Sequence, residues 1–105
     1  MFPELEGLLI SHPKVKDAAV IGVYRTDLAT EVPRAYVVPE LGVQRSEQTA
    51  QEIEGWLRER VARQKWLRGG VRFIDAIPSN PSGKLLRREL KLMAEAEQRA
   101  IAAKL

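Results

Sequence analysis

The chain has 105 residues, with 17 basic against 14 acidic side chains, a net charge of +3, one histidine and no cysteine. At 45% apolar and 30% charged residues it has the make-up of one small folded domain, with room for a single modest core. The missing cysteine excludes disulfides and thiol chemistry, a lone His12 without clustered carboxylates leaves no metal site, and the longest apolar run, residues 18–23, is far too short to span a bilayer.

Leu5, Leu8 and Leu9 recur at i, i+3, i+4, with Glu4 and Glu6 placed where a helix N-terminus favours acids. This predicts a short helix that stops near Ser11-His12-Pro13, since Pro13 disfavours helix at His12. Residues 15–24 are rich in Val, Ile and Ala and predict a buried strand. Residues 25–34 read as a polar connection closed by Pro33. Residues 35–38 read as the next strand, and 39–45 as a turn region around Gly42. A longer helix follows, capped by Ser46 or Thr49, with capping-box spacing from Thr49 to Glu52. Ile53, Trp56, Leu57 and Val61 form its apolar stripe, and Gly69-Gly70 is expected to end it. Residues 71–77 alternate as a third strand. Leu86, Leu90, Met93 and Ile101 mark a last helix, with Glu97 breaking the stripe. The expected fold is α+β, a small sheet of about three strands flanked by helices in the order α-β-β-α-β-α.

Between the third strand and the last helix lies the most informative segment, Pro78-Ser79-Asn80-Pro81-Ser82-Gly83-Lys84-Leu85-Leu86-Arg87-Arg88-Glu89-Leu90. Pro81 fixes its own φ and pushes Asn80 towards extended backbone, while Gly83 permits a sharp reversal. One cation, Lys84, stands at the end of this stiff loop. A phosphate-cradling P-loop would need glycine where Pro78 stands and Ser or Thr where Leu85 stands, so that reading fails. No nucleophile elbow supports a Ser/His/Asp triad. The basic side chains gather at 58–72 and 84–91. Lys65, Arg68, Arg72, Arg87, Arg88 and Lys91, with Trp66 beside them, could meet nucleic-acid phosphates. Interleaved acids and the lack of any reading motif argue against it, and neither nucleic acid nor membrane is an expected partner.

Four separated blocks resemble the C-terminal domain of the adenylate-forming (AMP-binding) superfamily, which includes acyl-CoA synthetases, 4-coumarate–CoA ligases, firefly luciferase and the adenylation domains of peptide synthetases. Glu4-Leu5-Glu6, Leu9, Ser11-His12-Pro13, Val15 and Asp17-Ala18-Ala19-Val20-Ile21-Gly22 resemble its first helix and strand. Glu31-Val32-Pro33-Arg34-Ala35-Tyr36-Val37-Val38 is similar to the next segment. Gly70-Val71 and Phe73-Ile74-Asp75-Ala76-Ile77-Pro78 lead into a stretch, residues 81–90, that resembles the family signature. The likeness covers roughly residues 3–91.

What the resemblance implies is the mobile lid of a two-step ligase. ATP and a carboxylic acid give an acyl-adenylate and pyrophosphate, and the acyl group then passes to the thiol of CoA. The lysine corresponding to Lys84 serves the first step, presented by Pro81, Ser82 and Gly83. A carboxylate attacking a negative α-phosphate is repelled, and one ammonium bridging both partners relieves the repulsion. At 4 Å and an effective dielectric of ~20 such a pair is worth ~4 kcal/mol before desolvation, about a thousandfold in rate. Lys65 falls on the lysine of the family's Tyr-Lys pair, with Gln64 replacing the tyrosine and Trp66 the usual basic residue. Lys65, Arg68, Arg72 and Gly22 are candidates for CoA contact once the domain has reoriented. Mg with ATP is expected outside this domain, no metal within it, and no cofactor on the isolated domain.

Nothing before Glu4 resembles the family's hinge, and the large N-terminal domain is not in the sequence. Residues 1–105 are therefore expected to be a single lid domain that does not turn over alone, with that large domain as partner. Ala103-Lys104-Leu105 nearly match the Ser-Lys-Leu peroxisomal address, which predicts an import receptor as partner and the peroxisome, otherwise the cytoplasm, as location. Secretion is not expected, because no leader pattern is present. Two alternatives stay open: a stand-alone partner-binding protein of this fold, offering Lys84 in trans, and the lid of a luciferase-like or peptide-synthetase enzyme.

Overall fold

The computed structural model describes residues 3–78 and 87–104. Its elements run α1 (Pro3–Ile10), β1 (Val15–Arg25), β2 (Thr30–Pro39), α2 (Glu47–Arg58), β3 (Val71–Phe73) and α3 (Arg87–Lys104), the α-β-β-α-β-α order expected. The strands form one mixed sheet in the order β1-β2-β3, antiparallel between β1 and β2 and parallel between β2 and β3. Strand alternation divides the core in two. Ala18, Val20, Ala35 and Val37 face Leu5 and Leu9 of α1 and Ile53 and Leu57 of α2. Ala19, Ile21, Val23, Val32 and Tyr36 face Leu90 and Ala94 of α3.

Two prolines explain where the sheet departs from the sequence reading. Strand β2 begins at Thr30, not at Ala35, and Pro33 lies inside it opposite Gly22. The carbonyl of Pro33 accepts the Gly69 N–H at 2.8 Å and the Ala35 N–H donates to the Gly70 carbonyl. Residues 33, 35 and 37 thus turn their backbone polar groups towards β3, and the donor that Pro33 lacks is missing only on that side, leaving the β1 ladder complete. Strand β3 stops at Phe73 instead of Ile77. Ile74 N–H still reaches the Val37 carbonyl at 3.0 Å, but the next β2 donor facing β3 would come from Pro39, which has none.

Helix α2 starts where Ser46 accepts the Thr49 N–H at 3.2 Å, so Ser46 is the cap. It ends at Arg58, eleven residues before the glycines expected to end it. After Val61 the stripe would continue at Gln64 and Lys65, neither of them apolar, and the chain instead forms one 3₁₀ turn at Arg63–Lys65 before burying Leu67. The glycines serve the entry to β3. Gly70 takes φ +88°, and a Cβ at Gly69 would lie 2.8 Å from both the Pro33 carbonyl oxygen and Val23 Cγ2.

On α3, Leu90 and Ala94 are buried, whereas Met93, expected in the stripe, is exposed. Glu97 continues the buried face at i+7 from Leu90 and does not break it, because its carboxylate meets cations on the sheet.

Candidate functional site

Lys84 and its presenting loop, Pro81, Ser82 and Gly83, lie outside the described residues, as do Leu86 and Leu105. The described chain brackets the loop: Ile77, packed against the α3 face of the sheet, precedes it, and α3 begins at Arg87 after it. Ala103 and Lys104 belong to the last turn of α3.

The four residues predicted to contact CoA do not form one cluster. Lys65 ends the 3₁₀ turn and its ammonium donates to Glu4 Oε1 of α1 at 2.7 Å, the Lys65 side chain being partly and that of Glu4 largely exposed. Arg68 follows on the same segment, its guanidinium 5.5 Å from the Trp66 ring centroid. Arg25 Nη1 donates to the Arg68 carbonyl at 3.1 Å, tying that segment to the β1–β2 hairpin. Arg72 of β3 points to the opposite face, where its Nε lies 3.5 Å from Glu97 Oε2. Gly22 is paired with Pro33 inside β1. A Cβ there would come within 2.7 Å of Glu31 Oε1, and Gly22 borders a groove of 180 Å³ shared with Tyr24, Glu31, Lys91, Ala94 and Glu95.

Around Trp66 the structure assembles more charge than the sequence reading named. Arg58 and Arg63 stand 4.9 and 5.6 Å from the same ring centroid, and Arg60 covers Trp56 at 4.1 Å. Arg58 is neutralised by Glu54 at 3.0 Å. Among the described residues neither Arg63 nor Arg68 has a carboxylate within ion-pair distance. The spacing in sequence points only to Arg60 on Trp56 and Arg68 on Trp66, four and two residues after their rings, whereas Arg58 and Arg63 reach Trp66 through the fold. The result is an electropositive, ring-backed surface suited to a phosphate.

His12 sits behind Trp56, edge-on at 4.9 Å, with Nδ1 accepting the Lys14 N–H at 3.0 Å. Burial holds its pKa below the ordinary imidazole value, Lys14 and Arg60 pushing the same way and Glu52 opposing. No group of three or more His, Asp or Glu side chains suited to a metal occurs among the described residues, and no described helix is long and apolar enough to cross a membrane.

The family model of the AMP-binding enzyme C-terminal domain matches residues 4–84, up to and including the lysine. The chain belongs to that family. A phenylacetyl-CoA ligase of Aspergillus niger is 49% identical over 90 residues, which cover 84% of this chain and 16% of that protein. Among solved structures, a Brucella canis acyl-CoA synthetase superposes with a TM-score of 0.80 at 30% identity, covering 91% of this chain and 17% of that one. An anthranilate CoA ligase in complex with anthranoyl-AMP superposes with a TM-score of 0.75 at 31% identity, covering 97% of this chain and 18% of that one. The chain therefore spans about a sixth of the length of the proteins it matches.

Proposed function

We propose that this chain is the C-terminal domain of an ATP-dependent carboxylic acid–CoA ligase, and that Lys84 is its catalytic contribution. The observation that carries the reading is the family match running through residue 84, together with relatives named as CoA ligases. The complex holding anthranoyl-AMP is a member of that group bound to an acyl-adenylate. In the first half-reaction the carboxylate oxygen attacks the α-phosphorus and pyrophosphate leaves. The Lys84 ammonium bridges the two anions and stabilises charge developing on the phosphoryl oxygens. In the second, the CoA thiol attacks the acyl carbon and AMP leaves, with the domain turned so that the Trp66 surface meets CoA phosphates.

For that second role Arg68 is the favoured contact, because its charge is not matched by a carboxylate among the described residues. Lys65 must first leave Glu4, but an exposed pair of this kind is worth only about 0–1 kcal/mol and does not forbid it. Ala103, Lys104 and Leu105 are proposed as a peroxisomal address; removing Leu105 should leave a tagged protein in the cytosol, and unchanged import would refute the address.

Grafting residues 3–105 in place of the matching domain of the Brucella canis acyl-CoA synthetase tests the main reading. Thioester formation by the chimera, with an increased CoA KM in its Arg68→Ala form, is expected. A folded chimera that makes no acyl-adenylate would contradict it.

A further inference from the structure

The helix that follows Lys84 meets the α3 side of the sheet through both apolar and charged side chains among the described residues. Among its described side chains the buried ones are Leu90 and Ala94, one large and one small. The third contact on that face is polar. Glu97 Oε2 accepts Arg34 Nη1 at 3.3 Å and lies 3.5 Å from Arg72 Nε. The Arg34 side chain is 9% exposed and its Nε donates to the Gly69 carbonyl at 2.8 Å. One carboxylate oxygen therefore joins α3 to β2, to β3 and, through Arg34, to the turn that opens β3.

We propose that Glu97 is a positioning residue for Lys84: its contacts to Arg34 and Arg72 fix the tilt of α3, and with it the place from which the lysine loop projects. The proposal rests on the reading of Lys84 given above. Of the described contacts on this face, Leu90 and Ala94 lie one helical turn apart, and Glu97 extends the held stretch to seven residues beyond Leu90, about 10 Å at 1.5 Å per residue. A tilt of about 10° around Ala94 would shift the start of α3, seven residues away, by about 2 Å. Misplacement of a catalytic group by about 1 Å can cost a hundredfold. Arg34 is the firmer partner, since it is buried and also bonded to Gly69, while Arg72 is 43% exposed.

The test compares half-reactions in the ligase that carries this domain, with Lys84→Ala as the internal standard. Glu97→Ala should lower carboxylate-dependent pyrophosphate exchange about tenfold while leaving thioester formation from supplied acyl-adenylate within about twofold. Glu97→Gln, whose amide oxygen still accepts from Arg34, should lose about threefold at most. In the 105-residue chain, hydrogen exchange should quicken in α3 of Glu97→Ala and stay unchanged in β1 and β2. Equal loss of both half-reactions, or faster exchange throughout, would reduce Glu97 to a structural residue and overturn the proposal. Unchanged pyrophosphate exchange in Glu97→Ala, where Lys84→Ala abolishes it, would overturn it as well. If Lys84→Ala itself leaves exchange intact, the reading of Lys84 fails, and the role of Glu97 falls with it.

Discussion

Replacing Gly69 by alanine probes the joint between the Trp66 segment and the sheet. Gly69 does not need glycine for its backbone angles; only Gly42, Gly70 and Ala29 take positive φ among the described residues. It needs glycine for space. The added Cβ would lie 2.8 Å from the Pro33 carbonyl oxygen, 2.8 Å from Val23 Cγ2 and 3.0 Å from Arg34 Cβ. The first of these is backbone in a paired strand and cannot rotate away. Relief requires the 69–70 turn to move by about half an ångström, which stretches the Gly69 N–H bond to Pro33 and the Arg34 bond to the Gly69 carbonyl, both 2.8 Å. Overpacking of this kind costs about 1–3 kcal/mol, and each weakened hydrogen bond adds a fraction of about 0.5–1.5 kcal/mol. Alanine recovers about 0.4–1 kcal/mol by restricting the unfolded chain. The net loss is about 2–3 kcal/mol, which in a domain of this size lowers Tm by about 10–20 °C. Thermal unfolding followed by far-ultraviolet circular dichroism measures it. Gly55→Ala is the control: nothing lies within 4 Å of its Cβ position in α2, so stability should hold or rise by up to about 1 kcal/mol. Equal Tm values for the two variants would refute the packing argument.

Two further outcomes follow from the described contacts. Ser46→Ala removes the acceptor of the Thr49 N–H and should cost about 1 kcal/mol in urea unfolding, whereas Thr49→Ser, which keeps the backbone donor and a hydroxyl, should cost clearly less; the reverse order would shift the cap to Thr49. His12 has a depressed pKa in the folded state because burial disfavours its charged form, so below pH ~6.5 the unfolded chain binds the extra proton more readily. Its stabilising contribution is present above that pH and is lost as pH falls through the folded pKa, and His12→Asn should flatten this part of a stability–pH profile; an unaltered slope between pH 5 and 6.5 would contradict the assignment.

Local signals carried most of the architecture. The leucine spacing of α1, the apolar run of β1 and the Ser46 cap each depend on neighbours a few residues away, and each can be read along the chain. What could not be read depends on which side of a strand a group faces. Pro33 looks like a terminator in sequence, yet it is harmless inside β2 because its missing donor faces away from β1. Pro39, unremarkable in a turn region, is what stops β3. Glu97 reads as an interruption of an apolar stripe because its partners, Arg34 and Arg72, are 63 and 25 residues away and become neighbours only when the sheet forms. The candidate site followed the same division. The proline and glycine pattern before Lys84 is local in the sequence and lies outside the described residues, while the gathering of Arg58, Arg63 and Arg68 on Trp66 required the chain to leave α2 at Arg58 and turn back. Arg72, grouped with Lys65 and Arg68 by sequence proximity, is turned by strand alternation onto the α3 face.

The most direct test of the central claim separates the two half-reactions proposed for the full-length protein in its Lys84→Ala form. Acyl-adenylate formation, followed as carboxylate-dependent pyrophosphate exchange, should fall by about a thousandfold, the scale of one ammonium–anion pair at 4 Å. Thioester formation from supplied acyl-adenylate and CoA should remain largely intact. Equal loss in both steps would contradict the role assigned to Lys84.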